Sequence, residues 1–315
     1  MPESSILITG VNGMIGFALA RRLAAEDRRV VGMDRVLPPD GDLNCPVVTA
    51  ELSDPHRLHW TIRHYGVDRI VHCGAYSGPM LQRDNPFQML ETNVVGTMHV
   101  VEAARVAGLR RVVFLSSIVA YGPQPMDRAV PESACLLADE PYGASKVCGE
   151  AILRAYSARH GLAGVALRVT AVYGPRRTTD CLIRLMIRNG FAGVTTHVPY
   201  GAAWRRQYVN VEDVVSAIVA ALDRKNLPQA AYNISGGINP TLEEVAKAVA
   251  AAVPEAHVEF GSEAHPFDQP IGPLDIAAAK RDLGYVPRVS LVDGIAAYAA
   301  WLKANGGSRE SKGGR

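Results

Sequence analysis

Short apolar runs alternate with amphipathic stretches through the first half of this chain. Residues 5–9, 30–33, 47–48, 69–72, 112–116 and 165–168 are brief and rich in valine and isoleucine, which predicts buried strands of a parallel sheet. Between them, 13–25, 55–65, 86–107 and 142–160 carry helical periodicity. Asp54-Pro55 is a good helix opening, an N-cap carboxylate followed by proline at the first helical position. This alternation of strand and helix predicts an α/β fold, a Rossmann-type doubly wound parallel sheet.

After Gly174-Pro175 the rhythm changes. A helix is expected over 180–189, then a glycine-rich, weakly patterned stretch, then a helix over 211–223. Thr241-Leu242-Glu243-Glu244 has the form of a capping box opening a helix that runs to about Val253. Two more helices are expected over 275–283 and 291–304. The division that follows gives 1–171 with 205–234 to the α/β domain. It gives 172–204 with 235–305 to a smaller, mainly helical C-terminal substrate lobe, and it leaves 306–315, which has no apolar residue, as a disordered tail. At 315 residues the chain fits one large domain or two coupled ones.

Near-even charge, 33 basic against 31 acidic residues, leaves no electrostatic footprint for nucleic acid or a membrane surface. No apolar run reaches the length of a membrane span, and the first residues lack the basic and apolar regions of a secretory signal. The five cysteines (Cys45, Cys73, Cys135, Cys148 and Cys181) are scattered and unpaired in pattern, which reads as reduced thiols in a cytoplasmic protein. His56, His59 and His64 share a predicted surface helix with arginines and lack companion ligands, so no metal site is expected. His72, at a strand end, reads as a satisfied core histidine. Asp213 reads as a cap of its own helix. Arg176-Arg177 could line a substrate mouth or face water.

Gly10-Val11-Asn12-Gly13-Met14-Ile15-Gly16 follows the first strand and opens the first helix, the context in which a glycine-rich turn holds a pyrophosphate at a helix N-terminus. Asp34 ends the second strand, where a carboxylate accepts hydrogen bonds from adenosine ribose hydroxyls and repels a 2′-phosphate. NAD is therefore expected over NADP, although Arg35 offers a guanidinium that could accommodate the phosphate. Tyr142 and Lys146, in Tyr142-Gly143-Ala144-Ser145-Lys146, are spaced to share one helix face. A tyrosine hydroxyl titrates near 10, and a fixed cation beside it favours the phenolate. A shift of roughly 3 units corresponds to about 4 kcal/mol.

With the glycine loop and the Tyr142/Lys146 pair together, the chain resembles the extended short-chain dehydrogenase/reductases of the NAD-dependent epimerase/dehydratase family. The resemblance spans nearly everything from Ile6 to about Leu302. It implies an enzyme with Ser117, in Ser116-Ser117-Ile118-Val119-Ala120-Tyr121-Gly122, at the catalytic serine position beside Tyr142 and Lys146. It further implies that Gly10, Asn12, Gly13, Met14, Ile15, Gly16, Asp34, Arg35, Glu51 and Leu52 bind NAD. Cys73, Gly74, Ala75, Asn93, Leu115, Ser116 and Val169 join them, with Tyr142 and Lys146. The substrate contacts implied are Tyr76, Ser77, Ser117, Ile118, Thr170 and Arg206, and the family's helix-bundle dimer implies a homodimer.

The chemistry agrees with that resemblance. Removing hydride from a carbinol carbon requires its hydroxyl proton to leave, which gives Tyr142 the role of base, Lys146 that of its activator and ribose ligand, and Ser117 that of orienting the hydroxyl. The departures narrow the reaction. Ile118 and Val119 stand where the family's dehydratases carry acids, so dehydration is not expected. Ala171 replaces the asparagine that binds a diphosphate sugar, and Glu263-Ala264-His265-Pro266-Phe267-Asp268 lacks the family's late arginine. Arg206 alone remains of the clamps. The first expectation is an NAD-dependent oxidoreductase of a sugar, sugar acid or related polyol. The alternative is a sugar or nucleotide-sugar epimerase of the UDP-hexose 4-epimerase kind that recycles its NAD. A redox-sensing NAD-binding regulator is a third, disfavoured because a sensor has no use for a general base.

Overall fold

The computed structural model describes residues 4–37, 43–82, 84–177, 179, 181–263 and 270–305. They fall into two compact units, one of 4–169, 214–234 and 270–286, the other of 170–213, 235–263 and 287–305.

The first unit is built on a seven-stranded, wholly parallel sheet. Its strands are β1 (Ser5–Thr9), β2 (Val30–Asp34), β3 (Val47–Thr49), β4 (Val67–His72), β5 (Arg111–Ser117), β6 (Gly164–Val169) and β10 (Ala231–Ile234), in the order β10-β6-β5-β4-β1-β2-β3. Every residue of β1 and β5 is buried, as a sheet covered on both faces requires. The helices of this unit include α1 (Met14–Ala25), α2 (Pro55–His64), α3 (Pro86–Leu90), α4 (Gly96–Val106) and α5 (Pro141–His160). The core between sheet and helices gathers Leu7, Val31, Ile70, Val100, Val112 and Leu153. The strand order reverses beside β1, and a crevice at such a switch point is where open α/β sheets bind ligands.

The expected helix over 86–107 is interrupted. Residues 91–95 form a π-helical turn between α3 and α4, and it carries Asn93. Strand β10 lies in a stretch for which the sequence pattern predicted no strand; Ala231-Tyr232-Asn233-Ile234 has no valine- and isoleucine-rich run to mark it. Over 275–283 the helix begins later than expected: Asp275 stands before it, its Oδ1 accepting from Ala277 N, and a π-helical turn closes it at 279–283.

The second unit contains α6 (Leu182–Phe191), α8 (Leu242–Ala252) and α9 (Leu291–Ala304). These enclose a core of Ile183, Met186, Val245, Val249, Ile295 and Tyr298. The capping box of α8 is present, with Thr241 Oγ1 accepting from Glu244 N and Glu244 accepting from Thr241 N. Two parallel strand pairs accompany the helices of this lobe. β7 (Ala171–Tyr173) pairs with β9 (Tyr208–Asn210), and β8 (Thr196–Tyr200) with β11 (Val258–Glu263). α7 (Val211–Asp223) matches its expected span, and the division between units falls within it, after Asp213. Asp213 does not cap α7. Its buried carboxylate accepts from Arg288 N (2.8 Å) and Val289 N (3.2 Å), pinning the chain ahead of α9, while Asn210 Oδ1 accepts from Glu212 N.

The unit boundaries depart from the sequence division in three places, the first being residues 170–171, which open the second unit. Residues 205–213 sit in the second unit because β9 pairs there with β7, and 270–286 sit in the first, where Val130 bridges Leu274. Asp180, residues 264–268 and the tail 306–315 lie outside the described residues.

Candidate active site

The glycine loop leaves β1 and enters α1 through a turn that side chains would block. Gly10 has φ +69° and lies against the chain after β4: a Cβ there would come within 2.7 Å of Gly74 N. Gly13 is the N-cap of α1, no side chain caps that helix end, and its first turn holds no acidic residue. The positive end of the helix dipole is therefore left for an anion, and the backbone there suits a pyrophosphate.

Asp34 stands at the end of β2 with its carboxylate aimed by two backbone donors, Asn12 N on Oδ2 (2.9 Å) and Val36 N on Oδ1 (3.2 Å). A carboxylate offers about four acceptor sites, so capacity for ribose hydroxyls remains. Arg35 turns toward the loop after β4, where its Nη1 donates to Tyr76 Oη at 3.1 Å. Leu52 packs on the two glycines Gly74 and Gly96, and its carbonyl meets His99 Nδ1 at 2.8 Å.

Beneath this loop runs a chain of buried hydrogen bonds. His72 sits between Thr9 Oγ1 (2.7 Å) and Thr97 Oγ1 (3.0 Å), Thr97 donates to Asn93 O (2.6 Å), and Gly74 N donates to Thr9 Oγ1 (3.2 Å). Burial, aided by the charge of Lys146, pushes the His72 imidazole down to about 3, so it is neutral and structural. Burial also drives the Cys73 thiol up to about 12, which leaves it protonated and unreactive. The Asn93 amide is engaged within the protein: Oδ1 accepts from Tyr76 N (2.8 Å), and Nδ2 donates to Tyr76 O and Ser145 Oγ (both 3.0 Å).

Tyr142, Ser145 and Lys146 come from the first turns of α5. That helix opens on Glu140, whose carboxylate accepts from Tyr142 N (3.0 Å) and Gly143 N, with Pro141 at the first position. Lys146 is 5% exposed; Nζ donates to Leu115 O at 2.8 Å and lies 5.0 Å from the Phe114 ring centre and 5.5 Å from that of Tyr142. Burial holds the amine down to about 8, opposed in part by Cys73 and Glu150. Leu115 thus enters through its carbonyl. Ser117 ends β5, buried, its Oγ accepting from Val119 N at 3.3 Å; Val169 is its partner across β5–β6.

Ser116 faces elsewhere. Its hydroxyl donates to Glu150 Oε1 (2.5 Å), and Glu150 holds Arg168 through Nε and Nη2, the latter at 2.7 Å. Arg168 also donates to Tyr121 Oη (2.8 Å) and Glu132 O (2.9 Å). The side chain of Ser116 therefore belongs to a buried network behind the sheet end. Sequence reasoning missed that network, and the only signal was a carboxylate one turn beyond Lys146.

In the second unit, Thr170 is buried and its Oγ1 has no hydrogen-bond partner among the described residues. Arg206 is half-buried, its N–H donating to Pro240 O, and the adjoining Gln207 O accepts from Ala171 N at 3.0 Å. Ala171 and Arg206 are thus brought close in the fold. Arg176 has φ +65°, and Arg177 Nη1 donates to Val172 O. Among the described residues no group of three His, Cys, Asp or Glu is placed to hold a metal ion, and no helix is long and apolar enough to cross a membrane.

A parallel sheet with this glycine loop and a lysine buried one helical turn from a tyrosine defines an NAD-dependent enzyme of the extended short-chain dehydrogenase/reductase type. Residues 6–235 match the model of the NAD dependent epimerase/dehydratase family, and the chain belongs to that family. It is 32% identical over 307 residues to the UDP-glucose 4-epimerase of Mycolicibacterium smegmatis, covering 92% of this chain and 96% of that one. Among solved structures, the UDP-glucose 4-epimerase of Thermus thermophilus with NAD is 26% identical and superposes with a TM-score of 0.85 over 95% of this chain and 99% of that one. A dTDP-glucose 4,6-dehydratase from Streptomyces venezuelae with NAD bound is 28% identical, with a TM-score of 0.86 over 96% and 98%.

Proposed function

We propose that the chain oxidises a carbinol carbon of a free sugar, sugar acid or related polyol. NAD, when bound, accepts the hydride. Tyr142 takes the hydroxyl proton, Lys146 stabilises the phenolate and binds the nicotinamide ribose, and Ser117 orients the substrate hydroxyl. The observation that carries this reading is Lys146, a buried ammonium held by Leu115 O beside the Tyr142 ring. On this reading the first unit binds NAD through the glycine loop, Asp34, Glu51, Leu52 and the 73–75 turn. Asn93 and Ser116 act by positioning, since their side chains are engaged within the protein. Thr170 and Arg206 are the further substrate contacts on this reading.

Ala171 favours a substrate without a nucleoside diphosphate, because a methyl group stands where a polar clamp would be needed. Ile118 and Val119 argue against dehydration for the same kind of reason. The second reading, a UDP-sugar epimerase with recycled NAD, is favoured by the M. smegmatis relative. An absorbance spectrum of the purified protein with NAD and candidate sugars tests the pair. Net NADH with a free sugar or sugar acid supports the dehydrogenase, and isomerised product without net NADH replaces it with the epimerase.

A homodimer is part of the same proposal. Phe87, Leu90, Val95 and Met98 are exposed along α3, the π-helical turn and α4. Cys148, Ala151 and Ala155 are exposed on α5, so both helices present an apolar outer face to a second copy. Five free cysteines suit the reducing cytoplasm as its location.

A further inference from the structure

We propose that Tyr76 sets cofactor preference by holding Arg35 away from the adenosine ribose. This rests on the NAD-binding reading of the first unit and adds the residue that keeps NADP out. Arg35 directly follows Asp34, just past β2, where a guanidinium can compensate a 2′-phosphate. That guanidinium is committed elsewhere. Its Nη1 donates to Tyr76 Oη at 3.1 Å, and its carbon lies 5.3 Å from the centre of the Tyr76 ring, within cation–π range.

Tyr76 is a fixed partner for it. Asn93 grips both backbone groups of Tyr76, accepting from its N–H at 2.8 Å and donating to its carbonyl at 3.0 Å. Asn93 is itself buried in the π-helical turn and tied to Ser145 of α5, so the anchor belongs to the core of the unit. β2 and β4 are the two neighbours of β1 in the sheet. The Arg35–Tyr76 contact therefore joins the chain beyond both, across the strand end where the glycine loop begins. Two features then act on a 2′-phosphate: Asp34 repels it, and Tyr76 withdraws the cation that would offset the repulsion. Ribose hydroxyls need only Asp34, which Asn12 N and Val36 N hold in place.

The test is direct binding of NAD and NADP by titration calorimetry, in the background of Asp34→Ala, where charge repulsion no longer masks NADP. Adding Tyr76→Ala is expected to raise NADP affinity by roughly two- to fivefold, the equilibrium factor of an exposed cation–π contact, and to leave NAD affinity nearly unchanged. Asn93 holds Tyr76 by its backbone, so the truncation leaves the loop anchored. Tyr76→Phe, which keeps the ring and loses the hydroxyl, gives a smaller gain, and adding Arg35→Ala to Tyr76→Ala cancels it. The proposal is overturned if Tyr76→Ala leaves NADP affinity unchanged, weakens both dinucleotides alike, or raises NADP equally without Arg35. If the unaltered protein binds neither dinucleotide, the cofactor reading falls, and this proposal with it.

Discussion

Lys146 meets opposing demands at one atom. Its charge is wanted beside Tyr142, yet it is 5% exposed, and burial holds it down to about 8 from 10.5. The fold therefore loosens the hold on that proton without removing it at neutral pH. Between about pH 8 and 10.5 the unfolded chain binds the extra proton, so the stability governed by this group rises with pH across that window and is lowest below it. The drop corresponds to roughly 3 kcal/mol. Thermal unfolding followed from pH 7 to about 10 should show that rise in the native protein and lose it in Lys146→Met, which has no amine to titrate. Tyr142→Phe is expected to fold and bind NAD nearly as before while turnover falls by at least roughly 10²-fold, as loss of a general base requires. Single-turnover kinetics beside cofactor titration would expose near-native turnover, and with it a wrong assignment of the base. The spacing of Tyr142 and Lys146 was legible because i and i+4 share a helix face. Leu115 O was not, since only the closed sheet brings that carbonyl to α5. Asp213 misled because an acid in a first turn suits the helix dipole, whereas its backbone donors lie far along the chain, at 288 and 289.

At the scale of elements, β1, β2, β4 to β6, α1, α2 and α5 were legible because each presents an apolar run or a helical period in its own residues, and β3 through the Val47-Val48 pair alone. β7 and β9 are three residues each, and β7 exists because β9 lies beside it, a pairing that no local pattern encodes. The π-helical turn at 91–95 was hidden for another reason: one extra residue per turn leaves composition unchanged while re-aiming Asn93. Helix α5 is tied to the sheet by an ion pair equally invisible in sequence. Glu150 on α5 and Arg168 on β6 are 9% and 7% exposed at their side chains and 2.7 Å apart. Removing one partner from such a pair leaves a buried charge and typically costs about 3–5 kcal/mol, while replacing both by apolar groups costs far less. Arg168→Met alone should thus lower stability by about 3–5 kcal/mol, and Arg168→Met with Glu150→Met should recover much of that loss. Denaturant unfolding of the single and double variants is the measurement, and a simply additive double would mean that the pair is not coupled.

At the scale of the whole molecule, the α/β unit declared itself through its alternation, whereas the second unit is assembled from three stretches of chain and was read only as a change of rhythm. On the proposed reading that second unit carries substrate contacts, and there the sequence offers a substitution more telling than any motif. Ala171 N bonds Gln207 O, so the backbone that carries Ala171 is paired next to the residue that follows Arg206, the one remaining cation of the expected clamp. A phosphate in a protein site wants several donors or a guanidinium fork, and one charged hydrogen bond contributes about 1.5–3 kcal/mol. A site lacking two such donors should bind UDP roughly 10²- to 10⁴-fold more weakly than one possessing them, if they act independently. Restoring one through Ala171→Asn is expected to strengthen UDP binding by about tenfold or more, without altering NAD affinity. Calorimetry with UDP and UDP-hexoses, run beside free sugars, uronates and aldonates, decides the matter. Micromolar UDP affinity in the unaltered protein would show that backbone donors or other side chains replace the clamp, and the epimerase would become the better reading. Weak UDP binding, with the Ala171→Asn gain and NADH release from a free sugar or sugar acid, would place the determinant of substrate class at this residue.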